Sequence, residues 1–183
     1  MLEHQVAMGG SIDQISPFEL TEARALIEGE AAALAANLIS KEELKELENS
    51  LGEMARENEC GDLAAGDADR KFHQVIAQAT RNALLVSMIE HMWHVRNHAP
   101  KVYGAYKAIC VEDGERRVEE HRDIYDALVS RDANAARAAM HEHFARILSK
   151  LIATTEAAQV EEARKQAQEV RERFSLGHLA SNP

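Results

Sequence analysis

Histidine and aspartate at helical spacing are the residues of this chain that can do chemistry. Asp69 and His73 stand four apart, which puts both side chains on one helix face, a turn from each other and close enough to share one metal ion. His121 lies among Val118, Ile124 and Leu128, and His143 follows Met140 by three positions and precedes Ile147 by four, so both are predicted to point inward. A helix advances about 100° per residue, so His141 and His143 face nearly opposite ways, and the apolar neighbours favour His143 for an interior site. Three imidazoles and a carboxylate in a helical core suit zinc first, then nickel, manganese or iron, and leave positions for water or an anionic ligand. Spacing alone leaves alternatives open. Each histidine also reads as a hydrogen-bonded core residue, and His91, His94 and His98, three and four apart, form a rival cluster whose helix Pro100 can end. His4 and His178 lie near the ends of the chain.

The elements that must position these residues are marked by caps. Ser16-Pro17-Phe18-Glu19 joins an N-cap serine, a proline at the first helical position and a capping-box glutamate, predicting a helix from Pro17 to about Ile39. Ser40-Lys41-Glu42-Glu43 repeats the box and opens a helix to about Asn58. A third helix carries Asp69, Phe72, His73 and Ile76. Asn82 caps a fourth through Leu85, Met88, Met92 and Trp93. Residues 101–130 read as one long helix with an interruption at Gly104 or Gly114. Asp132 caps the last core helix, which bears Met140, Phe144, Ile147 and Leu151, and 156–174 reads as a helical extension. No segment alternates with period two, which leaves an all-α antiparallel bundle of about six to seven helices. The expected organisation is a tail over 1–15, a bundle over 16–154 and an extension with its tail over 155–183.

Composition limits the function. With 31 acidic and 21 basic residues among 183, the net charge of -10 repels phosphate backbones, so these residues are not expected to bind DNA themselves. Cys60 and Cys110 form no CxxC, which fits a reducing cytoplasm, and neither a signal-peptide pattern nor a membrane span is expected.

Three stretches then resemble one family. SPFELTEARALIEGEAAALAA is similar to the opening of the FCD (FadR C-terminal) domain of GntR-type bacterial transcription regulators, with Glu22-Ala23-Arg24 on its Glu-x-Arg. DADRKFHQVIAQATRNALL resembles its Asp-x-x-Phe-His element followed by Asn-x-x-Leu, and EEHRDIYDALVSRDANAARAAMHEHF its Glu-His, Arg-Asp turn and Met-x-x-His. The likeness runs from Ser16 to Leu151. It implies a divalent metal on Asp69, His73, His121 and His143, and so ranks that set above the histidines of the fourth helix. It also implies Arg24 as partner of an effector carboxylate, which a planar guanidinium grips well, although a salt bridge to Glu28 one turn on explains the residue equally. ALLVSMIEHMWHVRNHAP further resembles regulators of hexuronate catabolism, implying a sugar-acid effector, with Trp93 stacking on a sugar face, Arg96 as a second anion contact and Asn82 as a hydrogen-bond donor.

The implied function is ligand sensing within a homodimer, with DNA reached only through a winged helix-turn-helix domain, expected to be missing from this chain. The competing expectation is a metal-dependent hydrolase or isomerase of small sugar acids, for which Glu120, about 100° round the helix from His121, is a poorly placed base.

Overall fold

The computed structural model describes residues 12–60, 66–112 and 114–174. After a single 3-10 turn over Ile12–Gln14 come seven α-helices: α1 (Pro17–Leu38), α2 (Lys41–Cys60), α3 (Asp67–Ala79), α4 (Ala83–His98), α5 (Pro100–Glu112), α6 (Gly114–Val129) and α7 (Ala133–Arg173). The described residues contain no strand, as the absence of period-two alternation predicts.

The caps work as their sequences require. Ser16 Oγ accepts from Glu19 N at 3.1 Å while Glu19 Oε2 accepts from Ser16 N at 2.8 Å, and Ser40 and Glu43 repeat the reciprocal pair at 3.1 and 2.9 Å. Asn82 and Asp132 each accept from the second and third amides that follow. These last two turns share a further device: the arginine ahead of each cap, Arg81 or Arg131, lies in the left-handed region at φ 58° and 56°. Both are held from outside their own turn, Arg81 by Glu43 and Arg131 by the carbonyls of Ala36 and Ile39.

Helix α1 runs through the middle of the bundle and touches α3, α4, α5, α6 and α7. Its alanines make this possible: Ala31, Ala32, Ala35 and Ala36 are fully buried, and small side chains let neighbouring backbones close in. Helix α7 lies antiparallel to it, since Arg131 reaches Ile39, Arg137 pairs with Glu30, and the Arg24 guanidinium sits over Phe144. Phe72, Trp93, Ile124, Leu128, Met140 and Phe144 fill the remaining core.

The structure makes two boundaries definite and moves one inward position. Of the two interruptions read in 101–130, Gly114 opens α6 while α5 ends at Glu112, and Gly104 lies inside α5, where no side chain crowds it. The helical extension read over 156–174 is continuous with the last core helix: α7 runs for 41 residues, about 60 Å, and its buried face ends at Leu151. In α4 the inward position is Ile89, with Met88 39% exposed. Stepping three and four from Met92 gives Ile89 and Met88 equal claim, and contact with α1 and α3 decides between them.

Candidate metal centre

His73 on α3, His121 on α6 and His143 on α7 meet in the core, each with one ring nitrogen within 4.8 Å of the others. All three are buried. Asp69, a turn before His73, brings Oδ1 to 3.0 Å from Nε2 of His121 and 3.3 Å from Nε2 of His73, and those two nitrogens lie 3.3 Å apart.

Each ring is held from behind through its other nitrogen. His73 Nδ1 contacts Glu28 Oε2, His121 Nδ1 donates to the Arg117 carbonyl at 2.7 Å, and His143 Nδ1 donates to Glu120 Oε2 at 3.0 Å. With the proton on Nδ1 in every ring, the Nε2 lone pairs of His73 and His121 and an oxygen of Asp69 face one another at 3.0 to 3.3 Å, with His143 alongside. Electron-rich atoms so placed repel one another unless a cation or proton stands among them, and outward hydrogen bonds that fix the tautomer are what ligating histidines require. The donor set therefore fits a divalent metal. Zinc, nickel, manganese and iron all accept imidazole with carboxylate.

The carboxylates of this layer are charged. Burial works against the charge of Glu28, but Arg24 and His73 outweigh it and bring the group down to about 2. Burial likewise opposes ionisation of Asp69, and hydrogen bonds from His121 and His73 overcome it, leaving Asp69 well below the usual carboxylate range. Burial, then the neighbouring His121, pushes His143 down to about 3, so its ring is neutral with a free lone pair. His73 moves the other way: burial disfavours its charged form, but Glu28 raises it.

Arg24 makes the salt bridge to Glu28 that its spacing allows. Its Nε donates to Glu28 Oε1 at 2.7 Å, while its Nη2 is buried without an acceptor. Arg96 approaches Asp69 Oδ2 at 3.8 Å and passes over Gly66, whose left-handed φ of 60° and lack of a side chain leave it room. Trp93 is fully buried between the two guanidiniums, at 4.4 Å from Arg24 and 4.6 Å from Arg96. Asn82 does not join this group. It is exposed at the start of α4, with its side-chain oxygen taken by the amides of Leu84 and Leu85. His91, His94 and His98 line the outside of α4, with His94 and His98 stacked 4.1 Å apart, and His141 packs its ring on Gly29. His4 and His178 lie outside the described residues.

Sequence reading missed four functional neighbours: Glu28 as the support of His73, Glu120 as the support of His143, and Arg117 and Arg146. Arg146 donates to the second oxygen of Glu120, and Arg117 donates to Glu57 Oε2 at 3.1 Å. A usable signal existed for the two arginines, since Arg117 lies four before His121 and Arg146 three after His143. Each is thus a charged residue on the ligand-bearing face of its helix. Beside the cluster, a cavity of about 20 Å³, room for one water, is lined by Arg24, Asp69, Arg117, Arg146, Tyr106 and Ile109 among others.

The helical bundle thus encloses a histidine and carboxylate cluster beside an arginine-lined cavity. Residues 19–146 match the FCD domain model, and the chain belongs to the FCD domain family. It is 32% identical over 142 residues to the Exu regulon transcriptional regulator of Escherichia coli (strain K12), covering 76% of this chain and 54% of that protein. The Uxu operon transcriptional regulator of the same strain is also 32% identical over 142 residues, with 74% and 54% covered. The chain thus spans about half the length of the curated relatives it matches. Among solved structures, E. coli McbR/YncC superposes with a TM-score of 0.65 at 25% identity, over 75% of this chain and 64% of that one. Streptococcus agalactiae GntR, at a TM-score of 0.61 and 23% identity over 73% and 58%, shares the fold.

Proposed function

We propose that this domain is the ligand-sensing half of a GntR-type transcription regulator, binding a small carboxylate at a divalent metal held by Asp69, His73, His121 and His143. The observation that carries the reading is the common orientation of the three rings, each anchored through Nδ1 so that Nε2 is left for the metal. Bound there, the metal supplies a Lewis-acidic point that attracts and orients an anionic oxygen. Arg24 offers its unused Nη2 to the ligand carboxylate while Glu28 keeps the guanidinium in place, and the Trp93 ring packs against it at 4.4 Å. Sugar acids, hexuronates first, are the proposed effector class, as the likeness to the Exu and Uxu regulators supports. Binding acts by preferring one of two arrangements of a homodimer, which a DNA-binding domain elsewhere in the regulator reads out.

Turnover is the weaker reading, because the carboxylates near the cluster already have partners: Glu28 holds Arg24 and His73, and Glu120 holds His143 and Arg146. A hydrolytic base would need one of them released.

Elemental analysis of protein purified without chelator or immobilised metal, run beside thermal shifts with glucuronate, galacturonate, fructuronate, gluconate, lactate and citrate, tests the reading. Near-stoichiometric metal and a shift from a sugar acid are expected, with both lost in His121→Ala. Absence of metal, and of any shift after zinc, nickel or manganese is added, would reduce the four residues to a polar core cluster.

A further inference from the structure

The effector reading accounts for Arg24 but not for Arg117. That side chain is only 2% exposed, and while its Nη2 donates to Glu57 and Asn58, its Nε and Nη1 are buried with no acceptor. A buried guanidinium N–H without an acceptor is costly, and natural cores rarely keep one. Arg117 keeps two, on the wall of the same cavity that Arg24 lines with its own unmatched Nη2. The two arginines enter from different helices, Arg24 from α1 and Arg117 from the first turn of α6, a turn ahead of His121. Arg146, on α7, adds a third guanidinium to the lining, against one lining carboxylate, Asp69.

From this we infer that the cavity holds two anion subsites, one at Arg24 and one at Arg117, and that the ligand of this domain carries an acidic group at each end. The inference rests on the proposed effector site and changes the order of its ligands, placing sugar diacids of that size ahead of hexuronates, which carry a single carboxyl group. A monoacid satisfies the metal and Arg24 and leaves the Arg117 donors unmatched; a diacid satisfies both sets. Tyr106 and Ile109 of α5 cover the lining, and with room for one water the cavity must open for either acid, so the difference between them is set by the second acidic group and not by entry.

The test compares glucarate, a six-carbon diacid, with gluconate, its monoacid counterpart, by titration calorimetry on the metal-loaded chain at fixed ionic strength. Glucarate is expected to bind about tenfold or more tightly than gluconate, the scale of a charge-assisted hydrogen bond. In Arg117→Gln the ratio of the two affinities falls toward one, and Arg117→Lys restores part of it. A purely structural role of Arg117, through its tie to Glu57, weakens both acids equally and leaves their ratio intact. Equal affinity for the two acids in the parent protein, or a preference that survives Arg117→Gln, overturns the inference while leaving the effector site standing. If neither acid binds while glucuronate does, the second subsite falls and the effector site stands; if none of the three binds, both fall.

Discussion

At the scale of single residues, the site is organised by what lies behind it. Glu120 is not in the lining of the cavity beside the cluster, yet it fixes the His143 ring and is fixed in turn by Arg146. Glu120→Gln keeps the shape and weakens the grip on the ring, so metal affinity should fall about 10- to 100-fold, as for other supports of ligating histidines. Competition with a chromophoric chelator measures it, and an unchanged constant would remove Glu120 from the site. Protons compete with the metal chiefly at His73. Its raised pKa means that the metal-free domain is stabilised by a proton there at low pH and loses that term as pH rises through the raised value. The metal-loaded form shows the opposite trend, because binding expels the proton. Metal affinity should therefore climb with pH and be lost toward about pH 5, where imidazoles protonate. Affinity that is flat across that range would argue against imidazole ligation. His143, held near 3, stays neutral throughout.

At the scale of elements, most of the architecture could be read from the chain because its signals are local. Two capping boxes, the Asn82 and Asp132 caps and the apolar stripe of α7 each lie within a few residues of the boundary they set. Asp69 with His73 was legible for the same reason. What could not be read are the pairings across the bundle: Glu28 lies 45 residues from His73, and Glu120 lies 23 from His143. Spacing along one helix says nothing of which neighbour it will meet. Which glycine opens α6 was ambiguous for a related reason, since Gly104 and Gly114 carry the same propensity and differ only in surroundings. A Cβ at Gly114 would meet the Asn58 side chain at 2.9 Å, and one at Gly104 would meet nothing. The caps themselves are open to measurement. Asp132→Ala removes acceptors from two amides at the start of α7 and should cost about 1 kcal/mol of unfolding free energy by denaturant titration. A loss below a few tenths would mean that α1 packing alone sets the start of that helix.

At the scale of the whole molecule, the bundle and the outer half of α7 obey different physics. From Ile152 to Arg173 every residue is exposed, and the described side-chain links there are local ones such as Gln166 to Glu162 and Gln168 to Glu172. A segment of this kind is held by helix propensity and by continuity with a packed helix, not by burial. Cutting the chain after Thr155 should leave the thermal midpoint within about 2 °C, since little buried surface is lost. Amide exchange in the full chain should be slow up to Leu151 and rise steeply beyond it. A large fall in the midpoint would reveal that the extension has a docking partner, most simply a second copy of the chain. No helix among the described residues is long and apolar enough to cross a membrane, so the exposed stretch is no span.

The chain's single tryptophan sits at the centre of its chemistry. Trp93 is sealed from solvent between Arg24 and Arg96, with the His73 ring 5.7 Å away. Its fluorescence is consequently an optical gauge installed in the sensor itself. Nickel should quench it from the histidine side, an acid that draws Arg24 away should alter its brightness from the other, and the two titrations can be followed in one cuvette without a label.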